Sequence, residues 1–298
     1  MVGFDDLTLF LRKLHSMKLS ILIHCPDKKG IISETTNFLH KAGGNIVYLD
    51  QFVDRERDIF FMRIEVVLEE SFSKTSFKEK FEQEIAIPHK MSYDIHDSLK
   101  KVRMGVFVSK YNHCLYDILA RYQAGDWNVE IPFVVSNHPD LEAIAQQFNI
   151  PYFHVPIAKD NKRQAEKIQL QLLKEFEIDF IVLARYMQII SSEMIQAYPN
   201  KIINIHHSFL PAFAGAKPYH AAYDRGVKII GATSHYVTEE LDAGPIIEQD
   251  VTFVSHVHSV HDFILKGRDL EKIVLSKAIT KHLDRKTIIY NNKTVIFS

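Results

Sequence analysis

The period of apolar and polar positions changes along this chain, and the change divides it in two. Between residues 18 and 96 the pattern predicts strand, helix, strand, strand, helix, strand. Residues 20–24 form a short apolar run. After Gly30, the positions Ile31, Thr35, Phe38, Leu39 and Ala42 fall on one face at helical spacing, until Gly43-Gly44 stops the helix. The runs 45–53 and 58–67 flank a polar turn. In the second run Phe60, Met62, Ile64 and Val66 alternate with Arg63 and Glu65, which predicts one buried face and one partly wet face. Phe77, Phe81 and Ile85 mark a second helix, and Met91, Tyr93 and Ile95 alternate along a last strand, completing a βαββαβ sandwich.

From Val102 onwards strands and helices alternate. The pattern predicts strands at 102–108, 131–135, 151–155 and 180–184, separated by helical stripes of which Ala165, Ile168, Leu172, Leu173 and Phe176 is the strongest. Such alternation implies an open, mostly parallel, Rossmann-like α/β sheet, whose ligands sit beyond the carboxyl ends of the strands. The run 201–206 reads as a buried strand ending in Asn204 and His206 on one side, with Pro211 forbidding its extension. His207 is expected to point the other way. A β-branched run, 227–237, leads to a turn that presents Asp242 just before Gly244-Pro245, and a third run begins at Ile246-Ile247. A long helix over about 262–283 and a hairpin around Asn291-Asn292 end the chain.

Composition narrows the function classes. The 298 residues suffice for two domains, expected as an extension at 1–16, a first domain at 17–96, a linker at 97–101 and a second domain at 102–298. With 36 basic and 37 acidic residues there is no electrostatic reason to expect nucleic acid or a membrane surface as partner. A small molecule fits better. Cys25 and Cys114 are the two cysteines, one in each half, which points to a reducing, cytoplasmic setting. No apolar run reaches the roughly 20 residues of a membrane helix. The sixteen histidines raise the question of a metal. His206-His207 with Asp242, and His256, His258 and His261, lack a metal-binding helix motif or paired cysteines, so none is expected.

Asn204, His206, Ser208, Leu210 and Pro211, then Gly231, Thr233, His235, Val237 and the run from Leu241 to Ile247, together resemble the formyltransferase fold that uses 10-formyltetrahydrofolate. Within it, the chain resembles the formyltetrahydrofolate deformylases; Ser109-Lys110, His113-Cys114-Leu115 and Leu183-Ala184-Arg185-Tyr186-Met187-Gln188 belong to the same match. The first domain resembles an ACT domain. The resemblance implies hydrolysis of 10-formyltetrahydrofolate to formate and tetrahydrofolate with catalytic residues Asn204, His206 and Asp242 and no cofactor. A formamide hydrolase needs donors for the oxyanion and a group to handle the water's proton, and an amide, an imidazole and a carboxylate supply them.

By the same resemblance, Met187, Gln188, Ile189 and Ile190, with Leu241, Ala243 and Gly244, form the wall around the pterin. The ACT-like unit is expected to join subunits into a homo-oligomer and to sense a small amino acid, methionine or glycine, through Asp27, Gly30 and Asn45. The alternative activity is formyl transfer to an amine such as glycinamide ribonucleotide. Two features oppose it: Ser109-Lys110-Tyr111-Asn112-His113-Cys114 stands without glycine where transferases carry a glycine-rich loop, and Gln188 stands where they often have Arg.

Overall fold

The computed structural model describes residues 16–69, 73–212 and 218–298, and these fall into two compact units. Of the expected extension, 1–16, residues 1–15 lie outside the described residues, and Ser16 already belongs to the first strand.

In the first unit β1 (Ser16–Pro26), α1 (Ile31–Lys41), β2 (Asn45–Asp54), β3 (Ile59–Glu69), α2 (Lys74–Phe81) and β4 (Ser92–Asp97) follow in that order. A π-helical turn, Glu82–Ala86, extends α2. The strands form an antiparallel sheet in the order β2-β3-β1-β4. Alternation explains which face carries the helices: Leu19, Ile21, Ile23, Met62, Ile64 and Val66 pack against Phe38, Leu39, Phe77 and Phe81.

The other face differs from expectation. Arg63 is 2% exposed, because its Nε donates to Arg285 O at 2.9 Å and its Nη2 to Asp284 O at 2.8 Å and to Glu65 Oε1. Its guanidinium also lies over Tyr48, whose hydroxyl donates to Ser298 O. Residues Asp284–Ile288 and Val295–Ser298 thus group with the first unit, and a charge on the partly wet face gains carbonyl acceptors from a distant part of the chain. Sequence periodicity carries no signal for that return.

The second unit contains β5 (Val102–Val108), α3 (His113–Ala124), β6 (Val129–Glu130), β7 (Val134–Ser136), α4 (Glu142–Gln147), β8 (Tyr152–His154), α5 (Lys162–Glu175) and β9 (Phe180–Leu183). It continues through α6 (Ser192–Ala197), β10 (Ile202–His206), α7 (Pro218–Arg225), β11 (Ile229–Tyr236), β12 (Ile246–Phe253) and α8 (Val260–Leu283). The sheet runs β12-β11-β10-β9-β5-β7-β8. Strands β10, β9, β5, β7 and β8 are parallel, and β11 and β12 turn back antiparallel.

Both faces are covered, so successive residues enter different cores. Val106, Val182, Ile203 and Ile205 pack with Leu115, Leu119, Val274 and Ile279, whereas Phe107, Ile181, Leu183 and Ile202 pack with Leu173 and Met194. Asn204 and His206 share the face of Ile202, as the period-two reading requires. Of the expected strand at 131–135 only Val134 and Val135 are in a strand, β7; β6 ends before it at Glu130, and Pro132, which lacks a ladder N–H, lies between the two. Helices α6 and α7, of six and eight residues, are too short to show a periodic stripe. The strand expected at Ile246-Ile247 continues to Phe253 as an edge whose Glu248 and Asp250 meet Lys281 and Lys277.

Near the middle of α8, Gly267 admits a neighbouring ring: a Cβ there would lie 2.1 Å from Tyr219 Cζ and 2.2 Å from its hydroxyl oxygen. Gly267→Ala should therefore lower the thermal midpoint, although alanine favours a helix by about 1 kcal/mol. Adding Tyr219→Leu removes the clash, and a double-mutant cycle followed by thermal unfolding should show coupling of at least about 1 kcal/mol. Additive effects would dismiss the clash.

Candidate active site

Strands β5, β9 and β10 end side by side, and the polar residues after their last apolar positions gather at that edge. Asn204 pairs in register with Leu183 on β9 and with His235 on β11, so the alignment of three strands sets its neighbours. The chain beyond β10 is fastened by Thr233, whose hydroxyl donates to Ser208 O at 2.9 Å and accepts from Leu210 N–H at 3.0 Å. Gln249 Nε2 donates to Leu210 O at 3.0 Å.

Asp242 comes from the turn between β11 and β12 and has a left-handed backbone, φ 55°. Gly244 makes that turn close: a Cβ would sit 1.8 Å from Tyr236 O, and Tyr236 N–H donates to Pro245 O at 2.9 Å. The turn delivers the Asp242 carboxylate to two imidazoles. Oδ2 lies 3.3 Å from His206 Nδ1, and Oδ1 lies 3.7 Å from His235 Nε2. Hydrogen bonding from His206, then from His235, outweighs partial burial and holds the Asp242 carboxyl well below the usual carboxylate range.

His235 is fixed by Nδ1–H donation to Tyr236 O at 2.9 Å, and its Nε2, which faces Asp242, lies 3.2 Å from Asn204 Nδ2. The amide of Asn204 is thereby oriented. His206 Nε2 is buried and has no hydrogen-bond partner among the described residues.

Asn204, His206 and Asp242 line a cleft of about 450 Å³ together with Met187, Gln188, Ile189, Ile190 and Leu241. Of the apolar residues, Met187, Ile189 and Leu241 are exposed, at 47%, 62% and 65%, and present a bare wall beside the polar trio. Ala243 and Gly244 do not line the cleft; Gly244 serves the backbone of the turn. His207 departs from the expected opposite orientation. Strand β10 ends at His206, so strand alternation no longer applies, and the His206 and His207 rings lie 5.2 Å apart, both on this cleft.

Sequence reasoning missed four residues here. His235 stood in the sequence only as a position of the family match, and its place at the site follows from its register opposite Asn204. Arg185, Tyr219 and Glu271 form a buried polar cluster: Glu271, 1% exposed, accepts from Tyr219 OH at 2.6 Å and from His113 Nε2 at 2.8 Å, with Arg185 Nε at 3.3 Å. Burial pushes the Glu271 carboxyl up, but the His113 hydrogen bond, the Arg185 charge and the Tyr219 hydroxyl together bring it below its ordinary value. His113, Cys114 and Glu271 also bring three ligand-type atoms within 4.8 Å of one another. The Arg185 guanidinium already supplies a cation to that carboxylate.

The expected effector residues do not meet in one chain. Gly30, φ 98°, opens α1, while Asn45 pairs with Val67, itself opposite Lys18, eight residues along β1 from Pro26. That is the far end of the sheet, roughly 25 Å away at strand rise. Asp27 is exposed, and its N–H donates to Asp58 O. The space beside Gly30 holds Glu34 Oε1, and the other Glu34 oxygen pairs with His89 at 2.7 Å. A carboxylate is already present at this helix N-terminus.

The profile of the formyl transferases matches residues 102–279, and that of the ACT domain matches residues 19–74. Fold and site thus define a formyl transferase-type domain preceded by an ACT domain. The chain is 46% identical to the formyltetrahydrofolate deformylase of Synechocystis sp., over 96% of this chain and all of that one. The crystal structure of a formyltetrahydrofolate deformylase from Pseudomonas syringae pv. tomato superposes with TM-score 0.91 at 41% identity, covering 100% of both chains. A glycinamide ribonucleotide transformylase from Symbiobacterium toebii is similar to 66% of this chain and covers 95% of its own, with TM-score 0.62 at 31% identity. The chain belongs to the formyltetrahydrofolate deformylase family.

Asp242 also contributes to stability with a definite sign. Its folded carboxyl titrates below the unfolded value of about 3.9, so the contribution is complete above that pH and fades as pH falls towards the folded value. Asp242→Asn should lose on the order of 1–3 kcal/mol near neutrality, with the gap to the wild type closing below about pH 4. Urea unfolding at several pH values checks this. A gap that stays constant down to strong acid would contradict it.

Proposed function

We propose that this protein hydrolyses 10-formyltetrahydrofolate to formate and tetrahydrofolate, with Asn204, His206 and Asp242 as the catalytic residues. The observation that carries this is the Asp242 carboxylate between two imidazoles, in a cleft whose other wall is exposed and apolar. The apolar residues Met187, Ile189 and Leu241 give a flat heteroaromatic ring a surface to lie on, with Gln188 and Ile190 completing it.

The reaction joins the water oxygen to the formyl carbon and breaks the bond from that carbon to N10 of the folate. N10 takes a proton and departs as an aryl amine, and the formic acid ionises. Asp242, kept as a carboxylate, holds the water and takes its proton for delivery to N10. Asn204, oriented by His235, donates to the developing oxyanion. With Nδ1–H directed at Asp242, His206 can donate from Nε2 only as the imidazolium, for which Asp242 is the counter-ion. The roles require no metal or organic cofactor.

We take water as the acceptor, because the loop after β5 lacks the glycines that would let a larger acceptor approach its backbone. The segment after β5 carries Tyr111 with Arg185 4.9 Å over its ring, in place of a glycine-rich loop. In the cell this activity would release tetrahydrofolate, balance the one-carbon pool and supply formate for purine synthesis. The buried, unpaired cysteines Cys25 and Cys114 favour the cytoplasm as its setting. No helix among the described residues is long and apolar enough to cross a membrane.

Purified protein should release formate from 10-formyltetrahydrofolate with no amine present. Asp242→Asn should lower turnover by a factor of about 10²–10⁴. Formate release that requires glycinamide ribonucleotide, with a formylated amine as product, would replace hydrolysis by transfer; near-normal turnover of Asp242→Asn would remove Asp242 from the mechanism.

The ACT unit is proposed to assemble the homo-oligomer and to bind methionine or glycine at the Asp27–Gly30 loop. There Glu34 favours the ammonium end of the amino acid. Titration calorimetry alongside formate release should show heat and a rate change for one of the two. Neither effect at millimolar concentration would leave the unit structural.

A further inference from the structure

Arg185 is placed as a ligand residue would be, and the catalytic roles leave it without a task. It lies beyond the end of β9, two residues after Leu183, which pairs in register with Asn204; His206 stands two residues after Asn204 on β10. Both residues line the same cleft. Arg185 is 7% exposed and has a left-handed backbone, φ 62°.

Its guanidinium is fixed from two sides. The Nε edge faces Glu271 Oε2 at 3.3 Å, and the plane lies over the Tyr111 ring at 4.9 Å. Glu271 divides its oxygens among Tyr219, His113 and Arg185. Arg185 Nη1 is buried and has no hydrogen-bond partner among the described residues. A buried guanidinium with an unused donor is unfavourable unless an acceptor arrives with the ligand. The hydrolysis produces one such acceptor in this cleft: a one-carbon carboxylate.

We propose that Arg185, held by Glu271 and Tyr111, forms a subsite for the formate product, beside His206. The proposal rests on the hydrolytic reading of the cleft. Formate is the small planar anion a guanidinium edge accommodates, and it arises at the carbon the trio attacks. The carboxylates of the folate's glutamate are the other source of this chemistry, but the aminobenzoyl ring keeps them well away from the formyl carbon.

The test is a titration of carbon-13 formate into the full-length protein, read by line broadening, with formate inhibition of initial rates measured in parallel. Wild type should bind formate, and Arg185→Gln should bind it about tenfold or more weakly. Arg185→Lys, which keeps the charge and loses the planar fork, should fall between them. Because Arg185→Gln leaves Glu271 buried without its cation, Arg185→Met/Glu271→Gln removes both charges and should also lose formate binding. Equal formate binding by wild type and either folded variant overturns the subsite, as does a wild type that leaves the formate line unchanged. If Arg185→Gln instead abolishes the preference for substrate carrying its glutamate and spares formate binding, the cation serves the tail and the proposal falls. A wild type that binds formate through Arg185 yet hydrolyses nothing defeats the functional reading and still supports the subsite.

Discussion

A carboxylate wedged between two imidazoles places narrow demands on the backbone around it. Asp242 must enter from a turn at positive φ, and the turn must lie so close to β11 that residue 244 can carry no side chain. His206 and His235 must arrive from two strands whose antiparallel register sets Asn204 opposite His235. A slip of one residue in that pairing would turn every one of these side chains to the other face of the sheet. The burial of Ile203 and Ile205 on one side, and of Ile202 on the other, is what prevents the slip. The chemistry at the edge is thus stabilised by apolar packing within the sheet.

A second buried carboxylate organises the neighbouring ground. Glu271 lies on α8 four residues after Gly267, the position that makes room for the Tyr219 ring, so a break in helix propensity and a buried charge belong to one arrangement. Around it Tyr219, His113 and Arg185 provide two donors and a cation, enough to keep the acid ionised in a site with almost no solvent contact. Its effect on the cleft passes through Arg185, which lines the same cleft as the trio and stacks over the Tyr111 ring. The two carboxylates therefore divide the work: one stands among the proposed catalytic groups, and the other holds a residue of the cleft wall.

Much of this could be read from the chain itself, for physical reasons that are specific. Strand periodicity put Asn204 and His206 on one side, and Gly244-Pro245 marked the turn that carries Asp242. The strand-helix alternation after Val102 predicted the sheet and the edge at which the cleft opens. What escaped depended on distance in sequence. His235 needs a register, and Glu271 needs the docking of a helix begun sixteen residues or more after the turn. The burial of Arg63 needs the chain's last residues to return to the first unit. His207 was misjudged by extending strand alternation one residue past the strand's end, and Asn45 by overlooking that β1 separates it from the Gly30 loop by its whole length.

Water held by Asp242 is the nucleophile proposed to attack the formyl carbon. Hydrolysis in oxygen-18 water, stopped after a single turnover and read by mass spectrometry of the formate, puts this to the test. One labelled oxygen per formate, formed at a rate that collapses in Asp242→Asn, is the expected result. Unlabelled formate, or labelled formate appearing at an undiminished rate in that variant, would contradict it.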